Sequence, residues 1–153
     1  MNQIIERATF VDSDELSELT YRSKAYWGYS EEQMEKWRDD LHITEEYIQN
    51  HEVFLLRKNN QIVGYYSFIM ISPSTIKLDN LFIDPKNIGK GLGRTLMNDF
   101  LSLVNNSDVS IITLESEPQV EQFYQKFGFK TVSQLKSSIL NRFLPIMELK
   151  LNT

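Results

Sequence analysis

The sequence predicts a mixed α/β fold in which helices flank a central, mostly antiparallel β-sheet. The local patterns follow the order β-α-α-α-β-β-β-α-β-α-β-β, and three consecutive strands with short connections should form an antiparallel meander. Of the 153 residues, 41% are hydrophobic and 24% are charged, which is ordinary globular composition. This length favours one domain, and we expect residues 1–153 to form it.

The first third of the chain contains one predicted strand and three predicted helices. Residues 3–9 should form the strand. A helix capped by Asp12 or Ser13 should continue to Ala25, after which a Trp-Gly-Tyr segment interrupts it. Ser30 and Thr44 each precede glutamates, an order that is typical of helix N-caps and predicts the second and third helices.

From residue 52 the pattern changes to strands. We predict strands at residues 53–56, 62–71 and 75–84, each bounded by turn-forming residues. The connection at residues 58–61 has turn chemistry, although it lacks the Asn-Gly pair that is typical of a tight hairpin.

The last third alternates helices and strands. An amphipathic helix should begin near Leu92 and end at Asn105. Pro118 at a first helical position and Gly128 just past the end predict a second helix between them. The remaining predicted strands lie at residues 110–115, 129–134 and 146–151.

The composition excludes several classes of site and partner. There is no Cys, which rules out disulfides, thiolate metal sites and Cys nucleophiles, and with only His42 and His51 no metal site is expected. The net charge of −5 argues against a nucleic-acid partner. Residues 1–50 hold 12 acids and 5 bases, a net charge of −7, and the other residues hold 9 acids and 11 bases, a net charge of +2. No apolar run is long enough to span a bilayer and no leader pattern is present, so we expect no membrane partner and a cytoplasmic location.

The most informative segment lies between residues 78 and 95, where a strand, a glycine-rich loop and a helix start follow one another. Gly89, Gly91 and Gly93 alternate in the loop, and glycine lets the backbone approach a ligand closely. The first amides of a helix lack internal partners and lie at its positive end, which suits a phosphate. The pattern therefore predicts a phosphate-binding loop, although neither a Walker loop nor the dinucleotide fingerprint has this glycine spacing. Three cations accompany the loop with no acid among them: Lys86, Lys90 and Arg94.

Two motifs resemble those of the GNAT superfamily, the acetyl-CoA-dependent N-acyltransferases. Ile88–Gly93 is similar to the family's phosphate loop, in which Arg or Gln is followed by two residues, Gly, any residue, and Gly or Ala. Leu81–Pro85 is similar to the end of the family's fourth strand. Gln122–Phe129 is similar to its second signature, a Tyr four residues before Gly-Phe. The predicted element order matches the family over nearly the whole chain.

The resemblance implies that the chain binds acetyl-CoA on a splayed sheet. Main-chain groups of Leu81, Phe82 and Ile83 would pair with the pantetheine arm, and this strand would diverge from the next one to open a cleft. Tyr124 would lie near the thioester sulfur, and Gln119 stands where many members have a cofactor-binding Asn. The residues that the resemblance assigns to the cofactor loop are Ile88, Gly89, Lys90, Gly91, Leu92, Gly93, Arg94 and Thr95. Ile88 replaces the usual Arg or Gln, so a side-chain contact to phosphate should be lost while the backbone cradle survives.

The implied reaction needs an acid and a base. An alkyl ammonium has a pKa near ~10.4, by analogy with Lys, and must lose a proton before it attacks a thioester. Tyr124 is the candidate acid that protonates the leaving thiolate; without the resemblance it would be a core aromatic on a helical stripe. Glu115 is the preferred base because it interrupts an apolar strand at its cleft end. Asp79, Glu117 or a water chain could serve instead.

The acceptor amine is expected to bind residues 21–47 together with the C-terminal loop, residues 137–145. Trp27 and Tyr29 could wall an amine pocket by cation–π contact, and ordinary packing between helices is the alternative. Asp79 is the carboxylate assigned to the acceptor. The acids of residues 1–50 would attract a cationic acceptor or simply solvate their helices.

These observations favour an N-acetyltransferase that transfers an acetyl group from acetyl-CoA to a primary amine of a small molecule or peptide. The amine would attack directly in a ternary complex. The alternatives are a non-catalytic coenzyme A-binding or sensing domain and an interaction module without cofactor. By analogy with similar proteins, the C-terminal strands could form a homodimer.

Overall fold

A computed structural model describes residues 3–137, 139 and 142–151, which fold into the predicted order of strands and helices. The strands are β1 (Gln3–Arg7), β2 (Glu52–Lys58), β3 (Gln61–Ser72), β4 (Thr75–Ile83), β5 (Ile111–Glu115), β6 (Lys130–Lys136) and β7 (Phe143–Lys150). The helices are α1 (Ser13–Ala25), α2 (Glu31–Trp37), α3 (Glu45–Asn50), α4 (Leu92–Asn105) and α5 (Glu121–Gln125).

The strands are hydrogen-bonded in the order β1-β2-β3-β4-β5-β7-β6. The β4–β5 pair is parallel, whereas β1–β2, β2–β3, β5–β7 and β6–β7 are antiparallel. A mostly antiparallel sheet flanked by helices confirms the predicted fold class.

β4 and β5 pair over only part of their lengths. Their register runs from Thr75 opposite Ile111 to Leu78 opposite Leu114 and stops there. β4 nevertheless continues to Ile83. Along the described part of the chain, the last five residues of β4 therefore have no ladder partner on β5.

The described residues divide into two compact units. The first unit comprises the residues up to Phe68 together with Asn80–Leu101, and the second comprises Ile69–Asp79 together with the residues from Ser102 onward. The single domain expected over residues 1–153 stays a prediction.

Each unit buries its own apolar side chains. In the first unit Tyr47 and Phe82 pack against a cluster formed by Ala8, Leu16, Leu19, Ile43, Ile48, Val53, Leu55, Ile62 and Tyr65. The buried side chains of the second unit include Ile76, Val109, Ile112, Leu114, Phe129 and Met147. Within the described residues, no helix is long and apolar enough to cross a membrane.

Two of the three predicted N-caps are confirmed. The Ser30 hydroxyl accepts a hydrogen bond from the Gln33 amide at 3.1 Å, and the Thr44 hydroxyl accepts one from the Tyr47 amide at 2.9 Å. Asp12 stands at the N-cap of α1, but its side chain makes no capping bond. Its carboxylate instead accepts from the Thr9 amide at 2.9 Å and the Arg57 guanidinium at 2.7 Å.

Two turns differ from the sequence patterns. The β2–β3 hairpin turns through Asn59 and Asn60, whose φ angles are 53° and 67°. Asn tolerates the left-handed region better than most residues, so the tight hairpin forms without glycine. The helix predicted between Pro118 and Gly128 is divided into a single 3-10 turn, Pro118–Val120, and the short α5. β7 begins at Phe143, earlier than predicted.

Candidate active site

The glycine-rich loop presents open backbone before α4. Gly89 and Gly91 have φ angles of 87° and 78°, and a Cβ added at either would meet nothing within 4 Å. The Thr95 amide donates to the Gly91 carbonyl at 3.1 Å, so the amides that precede Thr95 in α4 have no acceptor in their own helix. Gly93 lies in the first turn of α4. Loop backbone and helix start together form a cradle for an anion.

Asp84, which the sequence analysis did not single out, fixes the entrance to this loop. It is buried, and its carboxylate accepts from the Lys86 amide at 3.2 Å and from the Arg22 guanidinium at 2.9 Å. These bonds hold the single 3-10 turn Pro85–Asn87. The Asp-Pro pair that follows β4 is a local signal that could have predicted this turn. No local pattern could have predicted that Arg22 of α1 is the partner of Asp84.

The predicted cations and Ile88 lie on exposed backbone around the loop. Lys86, Lys90 and Arg94 are exposed, and the Lys90 ammonium donates to the Asn87 side chain at 3.4 Å. Ile88 is 46% exposed, so it presents an apolar chain where the family has a polar one.

A second unpredicted residue, Gly64 on β3, allows close packing beside the cradle. A Cβ at this position would lie 2.8 Å from Ile83 Cδ1, 3.0 Å from Leu96 Cδ1 and 3.0 Å from the Phe82 carbonyl oxygen. Glycine therefore lets β3, β4 and α4 approach one another. The Ile83 carbonyl already accepts from the Ser23 hydroxyl at 2.7 Å, while Leu81 and Phe82 lie in the part of β4 beyond its β5 ladder.

This geometry fits the coenzyme A implied by the sequence. Positive-φ glycines with open space, a helix start and exposed cations suit a pyrophosphate, and the part of β4 beyond its described ladder with β5 suits the amides of a pantetheine arm. The residues that would hold it are the predicted loop residues and Leu81 to Ile83.

In the second unit, Tyr124 is a buried phenol in an aromatic cluster. It is 8% exposed, and its ring packs edge-on against Phe123 and Phe129 at centroid distances of 5.2 and 5.8 Å. No residue in the described part of the chain hydrogen-bonds to its hydroxyl. Burial raises the pKa of the Tyr124 phenol above its ordinary value of 10, so the hydroxyl keeps its proton.

The candidate carboxylates of the second unit are ion-paired. The Lys77 ammonium lies 3.0 Å from Glu115 and 3.9 Å from Asp79, so the candidate base and the carboxylate assigned to the acceptor share one cation. Glu117 pairs with Arg142, which also donates to the Ser137 hydroxyl at 3.0 Å. Both side chains of that pair are largely buried.

The remaining predicted residues occupy separate surroundings. Gln119 is exposed in the 3-10 turn Pro118–Val120. Trp27 packs edge-on against Tyr26 at 5.2 Å, while Tyr29 packs against Trp37 at 4.9 Å.

The cation that faces the Tyr29–Trp37 pair comes from the chain itself. The Lys24 ammonium lies 5.6 Å from the Tyr29 centroid and 4.8 Å from the Trp37 centroid. Part of the predicted acceptor loop, at residues 138, 140 and 141, lies outside the described residues.

Comparisons with known proteins identify the family of the chain. The model of the acetyltransferase (GNAT) domain matches residues 27–151. The uncharacterized N-acetyltransferase ycf52 of Porphyra purpurea is 30% identical over 80 residues, which cover 50% of this chain and 46% of that protein. The peptidyl-lysine N-acetyltransferase YjaB of Escherichia coli is 31% identical over 94 residues, covering 61% and 59%. The alignments thus span about half the length of these curated relatives.

Solved structures share the fold. The PaiA N-acetyltransferase of Thermoplasma acidophilum, crystallised with coenzyme A, superposes with a TM-score of 0.81 at 21% identity, covering 99% of this chain and 100% of that one. The family match begins before α2, includes both predicted motifs, and ends just after β7. On these grounds the chain belongs to the GNAT acetyltransferase family.

Proposed function

We propose that this protein transfers the acetyl group of acetyl-CoA to a primary amine of a small molecule or of a peptide lysine. The observation that carries the proposal is the open backbone from Gly89 to the start of α4, with cations around it. The coenzyme A complex of the Thermoplasma protein and the name of the Escherichia relative support the cofactor and the peptide acceptor, respectively.

The cradle would act through its main chain. The amides near the start of α4 would donate to pyrophosphate oxygens, and Lys86, Lys90 and Arg94 would lower the cost of bringing that charge to the surface. Bound acetyl-CoA supplies an activated thioester. Because these contacts use backbone atoms, Ile88 does not prevent them.

Tyr124 would donate a hydrogen bond to the leaving sulfur. Its phenol is protonated throughout the physiological range, since the ordinary pKa of tyrosine is 10 and burial raises the pKa of Tyr124 further. A thiol has a pKa near ~8.5, by analogy with Cys, so complete proton transfer from Tyr124 to a thiolate is uphill. The hydroxyl would therefore stabilise the developing charge, and solvent would supply the proton afterwards.

Proton removal from the amine would involve Glu115 or water. Glu115 is held in an ion pair with Lys77, so it would take the proton through an intervening water or give way to a water chain. Direct attack then requires both substrates to be bound at once, which predicts intersecting rather than parallel two-substrate kinetics.

A second candidate is a coenzyme A-binding or sensing domain without turnover. The observation that favours it is that Glu115 and Glu117, the two carboxylates at and after the end of β5, are both ion-paired. Such a protein would bind acetyl-CoA and leave it intact.

One experiment separates these functions. Melting temperature is measured with and without millimolar acetyl-CoA, and free thiol is then followed on addition of primary amines that include N-α-acetyl-lysine amide and 1,4-diaminobutane. Stabilisation with amine-dependent thiol release supports the transferase. Stabilisation without release from any amine supports the binding domain, and no stabilisation contradicts both.

We also propose a homodimer through the C-terminal strands in the cytoplasm. β6 is the last strand in the sheet order, and most of its residues are exposed, including Val132 and Leu135. An unprotected edge strand can pair with a second copy. Light scattering should give twice the chain mass, and a charged Val132→Lys variant should be monomeric; a monomeric wild type contradicts the proposal.

A further inference from the structure

A polar cluster unused by the proposed chemistry joins α3, β3 and β4 in the first unit. The Asn80 side-chain amide nitrogen lies 3.0 Å from the Ser67 hydroxyl and 3.3 Å from the Tyr47 hydroxyl. The two hydroxyls lie 2.8 Å from each other. Ser67 is fully buried, so these bonds replace water that the side chain gave up on folding.

Hydrogen-bond counting fixes the orientation of the Asn80 amide. The nitrogen supplies two protons, and one hydroxyl proton completes the contact between Ser67 and Tyr47, so all three contacts are satisfied. If the amide were reversed, its oxygen would need two hydroxyl protons and the hydroxyl–hydroxyl contact a third, but the two hydroxyls have only two. The Asn80 carbonyl oxygen therefore points away from the cluster, and no residue in the described ranges donates to it.

Asn80 lies on a defined face of β4, just beyond its ladder with β5. It is two residues past Leu78, where that ladder ends. Alternation along the strand places Asn80 on the same face as Phe82, which packs against the α1 and α3 core. Ile83 lies on the opposite face, toward Leu96 of α4.

The two faces of β4 therefore have different chemistry. The cradle is directly followed by α4. We therefore infer that the face of β4 toward α4 is on the side of the proposed cofactor site. The other face carries an oriented, uncharged hydrogen-bond acceptor beside Tyr47 of α3. An amide oxygen at this place suits an N–H donor rather than an anion.

We propose that Asn80 is an acceptor-binding residue whose carbonyl oxygen accepts an N–H of the incoming amine. This inference rests on the proposed acetyl transfer. A hydrogen bond to one N–H leaves the nitrogen lone pair directed elsewhere, and it moves no proton because a carboxamide is not a base at neutral pH. Tyr47 and Ser67 are positioning residues that keep the oxygen turned outward.

The test compares Asn80→Ala with Asn98→Ala, which removes an exposed Asn on α4. For N-α-acetyl-lysine amide or 1,4-diaminobutane, whichever the wild type uses better, Asn80→Ala should lower kcat/KM by about 10- to 100-fold, mainly through KM. The Kd for acetyl-CoA and the pH profile should not change. Ser67→Ala should show a smaller loss of the same kind, and Asn98→Ala none.

Other outcomes overturn the inference. An unchanged KM for the amine in Asn80→Ala would mean that the cluster serves packing only. An equal loss of acetyl-CoA affinity would mean that the cluster supports cofactor binding. If the wild type releases no thiol, the proposed transfer fails, and calorimetry of the same two amines with the coenzyme A-loaded protein tests Asn80 separately. Amine binding that Asn80→Ala abolishes supports the site; unaltered or absent binding contradicts it. If Asn80→Ala does not fold, Ser67→Ala decides.

Discussion

The cradle before α4 and the surroundings of Tyr124 use different parts of the chain for chemistry. In the cradle, Gly89 and Gly91 expose main-chain groups, and the side chains around them include exposed cations. Around Tyr124, one hydroxyl would carry the function, and burial among rings raises its pKa. A site built from the backbone tolerates side-chain changes such as Ile88, but it does not tolerate added bulk or charge. A site that depends on one side chain, such as the Tyr124 hydroxyl, does not tolerate removal or replacement of that group.

The largest expected effect is loss of the cradle. Gly91→Asp puts a carboxylate where the pyrophosphate should lie, and we expect acetyl-CoA to stop raising the melting temperature. The wild type should gain about 2.7 kcal/mol at a ligand concentration 100 times the Kd. Gly28→Asp is the matched control, because Gly28 also has a φ of 87° and open space around it. Normal binding by Gly91→Asp would place the cofactor elsewhere.

Loss of the Tyr124 hydroxyl should leave binding intact and slow the chemistry. Tyr124→Phe keeps the ring contacts but removes the hydrogen bond to the leaving sulfur, and we expect turnover to fall by about 10²- to 10³-fold, or roughly 2.7–4 kcal/mol in transition-state free energy. Tyr66→Phe is the control, because it removes another buried hydroxyl, which donates to Asp99 at 2.7 Å. That control should lose stability and keep turnover per folded molecule. Wild-type turnover in Tyr124→Phe would show that Tyr124 has a packing role only.

The packing behind the cradle gives a smaller effect. Gly64→Ala brings a methyl group against Ile83, Leu96 and the Phe82 carbonyl, so we expect a loss of about 1–3 kcal/mol in unfolding free energy. Urea denaturation measures it, with Gln61→Ala at the exposed start of the same strand as control. Stability equal to the wild type would mean that the three elements do not need this close approach.

The smallest expected effect concerns alkaline pH. Burial raises the pKa of Tyr66 and Tyr124 above 10, and the Asp99 carboxylate adds to the shift at Tyr66. Above pH ~10 the unfolded phenols lose protons that the folded ones keep, so the folded state binds more protons and stability falls. Each tyrosine should contribute about 1.4 kcal/mol per pH unit. Tyr124→Phe should lose less stability than the wild type between about pH 9 and about pH 11 in urea denaturation; equal losses would contradict burial of this phenol.

Local signals account for what could be predicted from the sequence. The caps at Ser30 and Thr44 and the glycine loop each depend on residues within a few positions of one another, and all appear where expected. The bond between Arg22 and Asp84 joins residues 62 apart, and that between Tyr47 and Asn80 joins residues 33 apart. Such contacts arise only when the elements pack, so no spacing rule reveals them.

The same reasoning applies to the predicted acceptor residues, whose role stays a prediction. Trp27 and Tyr29 are close in sequence and suggested one aromatic wall, but the end of α1 directs them into separate ring pairs. Lys24, in the last turn of α1, already faces the Tyr29–Trp37 pair. A cationic acceptor at Tyr29 would have to displace this lysine.

The central claim is acetyl transfer to an amine, and product analysis tests it most directly. The wild type is incubated with acetyl-CoA and N-α-acetyl-lysine amide or 1,4-diaminobutane, and acetylated amine and free coenzyme A are quantified by mass spectrometry. We expect equal amounts of the two products in the wild type and neither above background in Gly91→Asp. Coenzyme A released without acetylated amine, or acetyl-CoA bound and left intact with both amines, would contradict the account.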